Sequence, residues 1–178
     1  MVYSFKKGEY MATVAFKGNP VHTVGDLPAK GTKAPAFSLT GTDLQDVGLE
    51  AFAGKRKILS IVPSLDTGIC AMSAKRFNQE VAKLGNVVII NISADLPFAA
   101  KRFCDSEKLQ HIVSLSTFRA PDFGRKYGMA ISEGPLKGLL TRAIVVLNQH
   151  DEVVYTELVP EITTEPNYDA ALAAVASA

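Results

Sequence analysis

The run KILSIV at residues 57–62 sets the fold class that we expect for this 178-residue chain. Nearly every residue in the run is apolar, and its length is that of one β-strand. A strand with one face in water would alternate between apolar and polar residues, so the unbroken run predicts a strand buried on both faces. Pro63 ends the strand, because proline has no backbone N–H to donate to a sheet.

The segments that follow this strand alternate between helical and strand patterns. Apolar residues at positions 70, 74, 77, 81 and 84 are spaced by three or four, which predicts a helix that ends near Gly85. Val87–Ile92 has the pattern of a second buried strand, and Ile112–Leu115 that of a third. Between them, Pro97 suits the first turn of a helix that runs to about Ser106. The order predicts parallel strands joined by helical crossovers.

Two hairpins flank this central part. Thr13–Lys17 and Val21–Val24 enclose the turn residues Gly18-Asn19-Pro20 and predict an N-terminal β-hairpin. Arg142–Leu147 and Glu152–Leu158 predict a second hairpin. The other expected elements are a strand at Ala36–Thr40, a short helix at Pro121–Tyr127 and a closing helix at Asn167–Val175.

These elements together predict an α/β fold, with a central mixed β-sheet flanked by helices and an N-terminal β-hairpin. No repeat or linker interrupts residues 12–178, so we expect them to form a single domain. Residues 1–11 are expected to be an N-terminal extension that need not belong to the natural chain.

Composition excludes several classes of function. Lysine plus arginine number 19 and aspartate plus glutamate 18, so the chain lacks the basic surface that nucleic acid would require. The apolar runs have strand length, far below the ~20 residues of a membrane span, and no export signal is present, so we expect a cytoplasmic protein with no membrane partner. The two cysteines are far apart, and the histidines (His22, His111 and His150) lack ligand spacing, so no metal site is expected.

Both cysteines lie in helical segments that follow buried parallel strands. Right-handed crossovers bring such segments to one carboxyl edge of the sheet, where open α/β folds keep their sites. Cys70 falls in the first helical turn, after the capping residue types Asp66 and Thr67, whereas Cys104 lies about seven residues inside its helix. Only Cys70 is therefore placed at the positive end of a helix dipole.

The position of Cys70 favours a reactive thiolate, which is the nucleophilic form of cysteine. Helix N–H groups, the hydroxyl of Thr67 and a nearby arginine would each stabilise the anion. Cys70 also continues the apolar stripe of its helix, and free cysteine is among the most buried residue types. From these features alone, Cys70 is interpreted equally well as a reactive cysteine and as an inert core residue.

The sequence around Cys70 distinguishes the reactive cysteine from the inert core residue. Residues 63–70, PSLDTGIC, contain the spacing P-x-x-x-T-x-x-C of peroxiredoxins, and the chain resembles their atypical two-cysteine branch, the bacterial thiol peroxidases. The likeness extends over about residues 12–177. The segments that carry it are GNP at 18–20, FAGKRK at 52–57, SADLPF at 93–98, RFC at 102–104, GPLKG at 134–138 and EITTEP at 161–166.

The resemblance implies a thioredoxin-like fold, a homodimer and reduction of hydroperoxides without metal, haem or other cofactor. It makes Cys70 the peroxidatic cysteine and Cys104 the resolving cysteine of the same chain, with Thr67 and Arg142 completing the site. It also points to thioredoxin as the reductant. Of the substrate-pocket residues, Pro63 would shield the sulfur. Ile69, together with Phe77 and Phe98, would suit an alkyl hydroperoxide, although each could equally be core.

Two departures from other peroxiredoxins favour resolution within one chain. Ala71 follows Cys70 where typical members have proline, and no cysteine lies near the C-terminus. Cys104 should lie on the order of 10 Å from the start of its helix, whereas a disulfide needs Cα atoms within about 7 Å. We therefore expect one or both cysteine helices to unwind locally when the disulfide forms.

Two other functions are compatible with a pair of cysteines on this fold. A thiol-disulfide oxidoreductase would exchange disulfides with proteins, but such enzymes carry a C-x-x-C pair that this chain lacks. A non-catalytic redox sensor would use the disulfide to change a binding surface. Sustained peroxide-dependent turnover distinguishes the peroxidase from both.

Overall fold

A computed structural model describes residues 12–81 and 83–178, so the expected extension at residues 1–11 lies outside the described residues. Within this part of the chain, nine strands, four α-helices and one 3-10 helix follow one another. They are β1 (Thr13–Phe16), β2 (Asn19–His22), β3 (Leu39–Gly41), β4 (Asp46–Val47), the 3-10 helix (Leu49–Phe52), β5 (Arg56–Ile61), α1 (Gly68–Val81), β6 (Val87–Ser93), α2 (Pro97–Glu107), β7 (Ile112–Ser116), α3 (Phe123–Lys126), β8 (Ala143–Leu147), β9 (Val153–Leu158) and α4 (Tyr168–Ala176).

The central sheet has seven strands in the order β4-β3-β7-β6-β5-β8-β9. Strands β5, β6 and β7 are parallel, whereas β3 and β8 run antiparallel to their neighbours in this group. The predicted mixed sheet is therefore confirmed, and the KILSIV run supplies most of β5, which lies inside the sheet between β6 and β8. Ile61 at the end of β5 pairs with both Ile92 and Ala143, which places the start of β8 beside the carboxyl end of β5.

Two apolar layers cover the faces of the sheet, which explains why β5 has no polar face. Leu59 points into one core with Phe123 and Tyr127, whose rings stack at 4.5 Å between centroids. Ile58 points into the other core, which Phe77 of α1 and residues of α4 complete. Helices on both faces leave every residue of the strand after Arg56 buried.

The N-terminal hairpin is also confirmed, but its turn lies one residue earlier than expected. Lys17 and Gly18 both have positive φ, at 52 and 77 degrees. A two-residue turn of the primed type requires this conformation at both central positions. Asn19 and Pro20 belong to β2 instead of the turn, and Pro20 pairs with Ala15. Proline is tolerated there because a two-stranded ribbon consists of edge strands.

Several element boundaries differ from those expected. The structure contains β4 and the 3-10 helix, which are too short for hydrophobic periodicity to indicate. Helix α1 is already complete at Val81, before Gly85. Helix α2 is followed by Lys108 in a left-handed conformation, which closes its last turn. None of the helices in the described ranges combines the length and apolar composition needed to cross a membrane.

Lys57 is a charged residue of β5, and its burial costs free energy. Its side chain is 0% exposed and forms an ion pair with Asp151 in the turn between β8 and β9. The ammonium also donates a hydrogen bond to the carbonyl of Lys55 at 2.8 Å. A buried ammonium is tolerated only with such partners, because removal from water costs several kcal/mol. The ion pair thus links the β8–β9 turn to β5.

We expect Asp151→Asn to lower the free energy of unfolding by about 2 kcal/mol, because it leaves the Lys57 ammonium without its counter-charge. Asp151 has a positive φ. Asparagine tolerates that conformation, so backbone strain does not contribute. Adding Lys57→Met should restore most of the loss, since it removes the buried charge. Urea unfolding of the three variants measures this, and an unchanged midpoint for Asp151→Asn would contradict it.

Candidate active site

Cys70 lies in the first turn of α1, and Thr67 is the residue that caps this helix. The N–H of Cys70 donates to Oγ1 of Thr67 at 3.4 Å, and the N–H of Ala71 donates to the Thr67 carbonyl at 3.0 Å. Of the two capping residue types that precede Cys70 in the sequence, Asp66 does not cap the helix. The helix begins at Gly68, so Thr67 occupies the capping position, while the N–H of Asp66 donates to Ser64 at 3.1 Å.

The sulfur of Cys70 accepts hydrogen bonds from two side chains. Thr67 Oγ1 lies 2.9 Å from Sγ, and Nη2 of Arg142, which is 72 residues further along the chain, lies 3.3 Å from it. Hydrogen bonds and a positive charge directed at sulfur both stabilise the thiolate over the thiol. The carboxyl edge of the sheet therefore brings together three of the residues that the sequence assigned to the site.

Arg142 is held rigidly and is 2% exposed, unlike a strand-end arginine in solvent. It directly precedes β8, and its Nε donates to the carbonyl of Ile162 at 3.0 Å. Its Nη1 is buried and has no hydrogen-bond partner among the described residues. A guanidinium cannot lose its proton at working pH, so Arg142 supplies a fixed charge and one unused donor beside Cys70.

Apolar side chains from α2 and from the segment between β5 and α1 enclose the sulfur. Cys70 is 1% exposed and packs with Val62, Leu65, Ala100 and Phe103. A cavity of about 420 Å³ adjoins this cluster. Its lining comprises Ser64, Leu65, Asp66, Thr67, Gly68 and Ala71 on the Cys70 side, and Asp95, Ala99, Arg102, Phe103, Ser106 and Glu107 on the α2 side.

The expected substrate-pocket residues do not line this cavity. Pro63 is buried and Ile69 half-buried, and neither is part of the cavity wall. Phe77 lies in the core under α1, edge to face with Tyr168 at 5.1 Å, and is not near the cavity. Phe98 is 68% exposed on α2. Periodicity could not separate these roles, because core and pocket residues are equally apolar.

Cys104 lies apart from Cys70, although both are free thiols. Its sulfur contacts the hydroxyl of Ser114 on β7 at 3.2 Å and opens onto a different cavity, of about 540 Å³. Burial raises the pKa of the Cys104 thiol, and the hydrogen bond with Ser114 offsets this only in part. The fold thus brings the two cysteine helices to one edge without bringing the two sulfurs into contact.

Asp95 is a polar residue at the site that the sequence interpretation missed. It lies two residues after the end of β6 and accepts three hydrogen bonds, two of them from the loop that leads to Cys70. The sequence did contain an indication of Asp95, because polar residues that closely follow a buried parallel strand lie at the edge of the sheet where sites form. Among the described residues, no group of three or more His, Cys, Asp or Glu side chains could hold a metal ion.

Known proteins share this architecture. The redoxin family matches residues 29–172. A thiol peroxidase of Mycobacterium tuberculosis is 50% identical over 165 residues, covering 93% of this chain and 99% of its own. A solved peroxiredoxin-like protein from Aquifex aeolicus superposes with a TM-score of 0.88 at 41% identity, over 96% of this chain and 99% of that one. A thiol peroxidase from Chromobacterium violaceum gives 0.84 at 27% identity, over 89% and 91%.

The chain belongs to the redoxin family. Its closer resemblance to the bacterial thiol peroxidases, drawn above from the residues around Cys70, is confirmed by these relatives. The thioredoxin-like fold and the expected class of enzyme, a thiol-dependent peroxidase, are confirmed with it.

The raised pKa of Cys104 predicts how this thiol reacts in the folded protein. In a Cys70→Ser variant, we expect alkylation of Cys104 to be slow at pH 7 and to accelerate with pH beyond the range of an ordinary thiol, because the thiolate is the reacting form. Ser114→Ala in the same background should slow alkylation further, since it removes a hydrogen bond that favours the thiolate. Intact-mass measurements across pH follow both rates, and faster alkylation in the Ser114 variant would refute the assignment.

Proposed function

We propose that this redoxin reduces hydroperoxides with the sulfur of Cys70, resolves the product with Cys104 of the same chain, and is returned to its dithiol form by thioredoxin. One observation carries the proposal. Cys70 Sγ accepts hydrogen bonds from Thr67 at 2.9 Å and from the buried cation Arg142 at 3.3 Å. Two donors, one of them on a permanently charged side chain, are thus directed at the sulfur that would attack the peroxide.

In the first step, the Cys70 thiolate attacks the terminal oxygen of the hydroperoxide. The S–O bond forms as the O–O bond breaks, sulfur supplies the electron pair, and the alkoxide or hydroxide that leaves takes up a proton. Negative charge develops on the leaving oxygen. The unused Nη1 donor of Arg142 is the group available to stabilise it, in a site from which water is largely excluded.

In the second step, Cys104 attacks the sulfenic acid of Cys70. The S–S bond forms, the S–O bond breaks, and hydroxide leaves and is protonated to water. Since the Cys104 sulfur rests on Ser114 and opens onto another cavity, the first turn of α1, part of α2 or both must unwind to bring the sulfurs together. Thiol–disulfide exchange with thioredoxin then restores both thiols.

The burial of Cys70 argues against a function as a thiol-disulfide oxidoreductase. A thiol-disulfide oxidoreductase needs a sulfur that a protein disulfide can reach, whereas Cys70 is 1% exposed beneath Ala100 and Phe103. A hydroperoxide is far smaller. A redox sensor would share the attack on the peroxide with a peroxidase, so sustained turnover is the property that distinguishes these two functions.

The cavity beside Cys70 supports a preference for alkyl hydroperoxides over hydrogen peroxide. Leu65, Ala99 and Phe103 give part of its wall an apolar character, which suits an alkyl chain. In this proposal Pro63 shapes the loop before the site, and Ile69 shields the first turn of α1. Assembly into a homodimer remains a prediction from the resemblance, and a cytoplasmic location remains a prediction from the sequence composition.

Cysteine variants test the assignment directly. Cys70→Ser should abolish peroxide-dependent oxidation of thioredoxin, because it removes the sulfur that Thr67 and Arg142 contact. Cys104→Ser should form a persistent sulfenic acid on Cys70 and stop thioredoxin turnover, because the resolving thiol is lost. Coupled turnover assays and mass spectrometry measure both effects. Sustained turnover by Cys70→Ser would show that another group attacks the peroxide.

Two matched substitutions test the role of the Thr67 hydroxyl. Thr67→Val should slow sulfenic acid formation about a hundredfold, since one donor to the reacting sulfur is lost. Thr67→Ser keeps both the donor and the helix cap, so it should retain most of the rate. The comparison is best made in the Cys104→Ser background, where the first step is observed alone. Equal rates for the two variants would exclude a role for the hydroxyl.

A further inference from the structure

Asp95 connects the two segments that carry the cysteines. Its carboxylate accepts hydrogen bonds from Ser64 Oγ at 2.8 Å, from the N–H of Leu65 at 2.6 Å and from Ser93 Oγ at 2.8 Å. Ser64 and Leu65 belong to the loop between β5 and α1, whereas Ser93 ends β6. One half-buried side chain thus ties the loop before Cys70 to the strand that leads into α2.

Hydrogen bonds link Asp95 through the loop to Thr67, which contacts the reacting sulfur. Ser64 Oγ, while donating to Asp95, accepts the N–H of Asp66 at 3.1 Å. Thr67 follows directly and donates to Cys70. The orientation of the Thr67 hydroxyl therefore depends on a loop whose backbone is fixed through one carboxylate.

The hydrogen bonds that hold the loop are strong, and they all depend on the Asp95 carboxylate. An ionised carboxylate that accepts several hydrogen bonds forms stronger ones than a neutral group would. Within residues 12–81 and 83–178, no lysine or arginine forms an ion pair with Asp95, so neutral donors alone hold it. The hydroxyl of Ser116 also donates to the Asp95 carbonyl, which fixes its backbone to the end of β7.

We propose that Asp95 is a positioning residue for the peroxidase reaction, which holds the loop before Cys70 for attack on the peroxide and must release it before the disulfide forms. This inference rests on the proposed function. Attack requires Thr67 and Arg142 in fixed positions around the sulfur, whereas the disulfide requires the first turn of α1 to open. The same hydrogen bonds therefore favour the first step and oppose the second.

Asp95→Asn tests this proposal because its expected effects on the two steps have opposite signs. The amide has nearly the shape of the carboxylate but lacks the charge, and one acceptor oxygen becomes a donor that faces other donors. We expect sulfenic acid formation to slow about tenfold or more, because small misplacements of reacting groups are costly. Disulfide formation should accelerate several-fold, because opening the loop becomes easier.

Two experiments separate the steps. In Asp95→Asn combined with Cys104→Ser, rapid quenching with a sulfenic-acid reagent gives the rate of the first step. In Asp95→Asn with both cysteines present, intact mass after quenching gives the rate of disulfide formation. At high peroxide, faster resolution should also reduce the fraction of Cys70 that reaches sulfinic acid.

Further variants serve as controls. Ser64→Ala removes one of the two loop contacts and should shift both rates in the same directions, but less. Asp122→Asn removes a carboxylate from an exposed pair with Lys126, remote from the cysteines in the sequence, and should change neither rate.

If Asp95→Asn slows both steps together, Asp95 only stabilises the fold, and if it changes neither, the loop is held otherwise. Either result overturns the proposal while the wild-type protein still oxidises at Cys70. Absence of peroxide-dependent oxidation at Cys70 in the wild-type protein would instead overturn the proposed function itself.

Discussion

The contact between the Arg142 guanidinium and the Cys70 sulfur is the constraint on which the site depends. Arg142 is almost fully buried, and the described residues place no carboxylate in an ion pair with it. A buried cation needs a compensating charge. The sulfur at 3.3 Å is the group that can supply that charge as a thiolate. Sheet topology makes the contact possible, because β8 runs antiparallel to β5 and therefore begins where β5 ends. Arg142 and the loop leading to Cys70 meet at that edge.

In the mechanism proposed above, such a rigid site conflicts with the need to form a disulfide. Two donors, a helix cap and the Asp95 anchor hold Cys70 in place, and in that mechanism each interaction that favours attack has to be broken before Cys104 reaches the sulfur. The structure divides these interactions unevenly. Arg142 is fixed by a core strand, whereas the loop that presents Thr67 is fixed mainly through side-chain hydrogen bonds. Opening is therefore expected to begin at the loop and the first turn of α1, while Arg142 remains in place.

The sequence predicted the elements with strong periodicity and missed details that depend on tertiary contacts. The apolar runs of β5 and β6 indicated buried parallel strands, and Pro97 marked the start of α2 correctly. Strand β4 is too short to leave a pattern. The hairpin turn lies at Lys17-Gly18 instead of the expected Gly18-Asn19-Pro20, because its position depends on strand pairing. At the site, spacing indicated Thr67 beside Cys70, since both share one helical turn. The partners of Asp95 come from three separate segments, so no local pattern reveals them.

Burial of Cys104 links its chemistry to the same opening movement. Burial is the largest cause of the raised pKa of this thiol, so in the closed structure Cys104 is mostly protonated at neutral pH and a poor nucleophile. Unwinding of α2 around Cys104 would expose the sulfur to water and remove the cause of the shift. In the mechanism proposed here, the movement that brings the two sulfurs together thus also generates the attacking thiolate. Cys104 therefore stays inert while Cys70 meets the peroxide, and becomes reactive only when resolution can proceed.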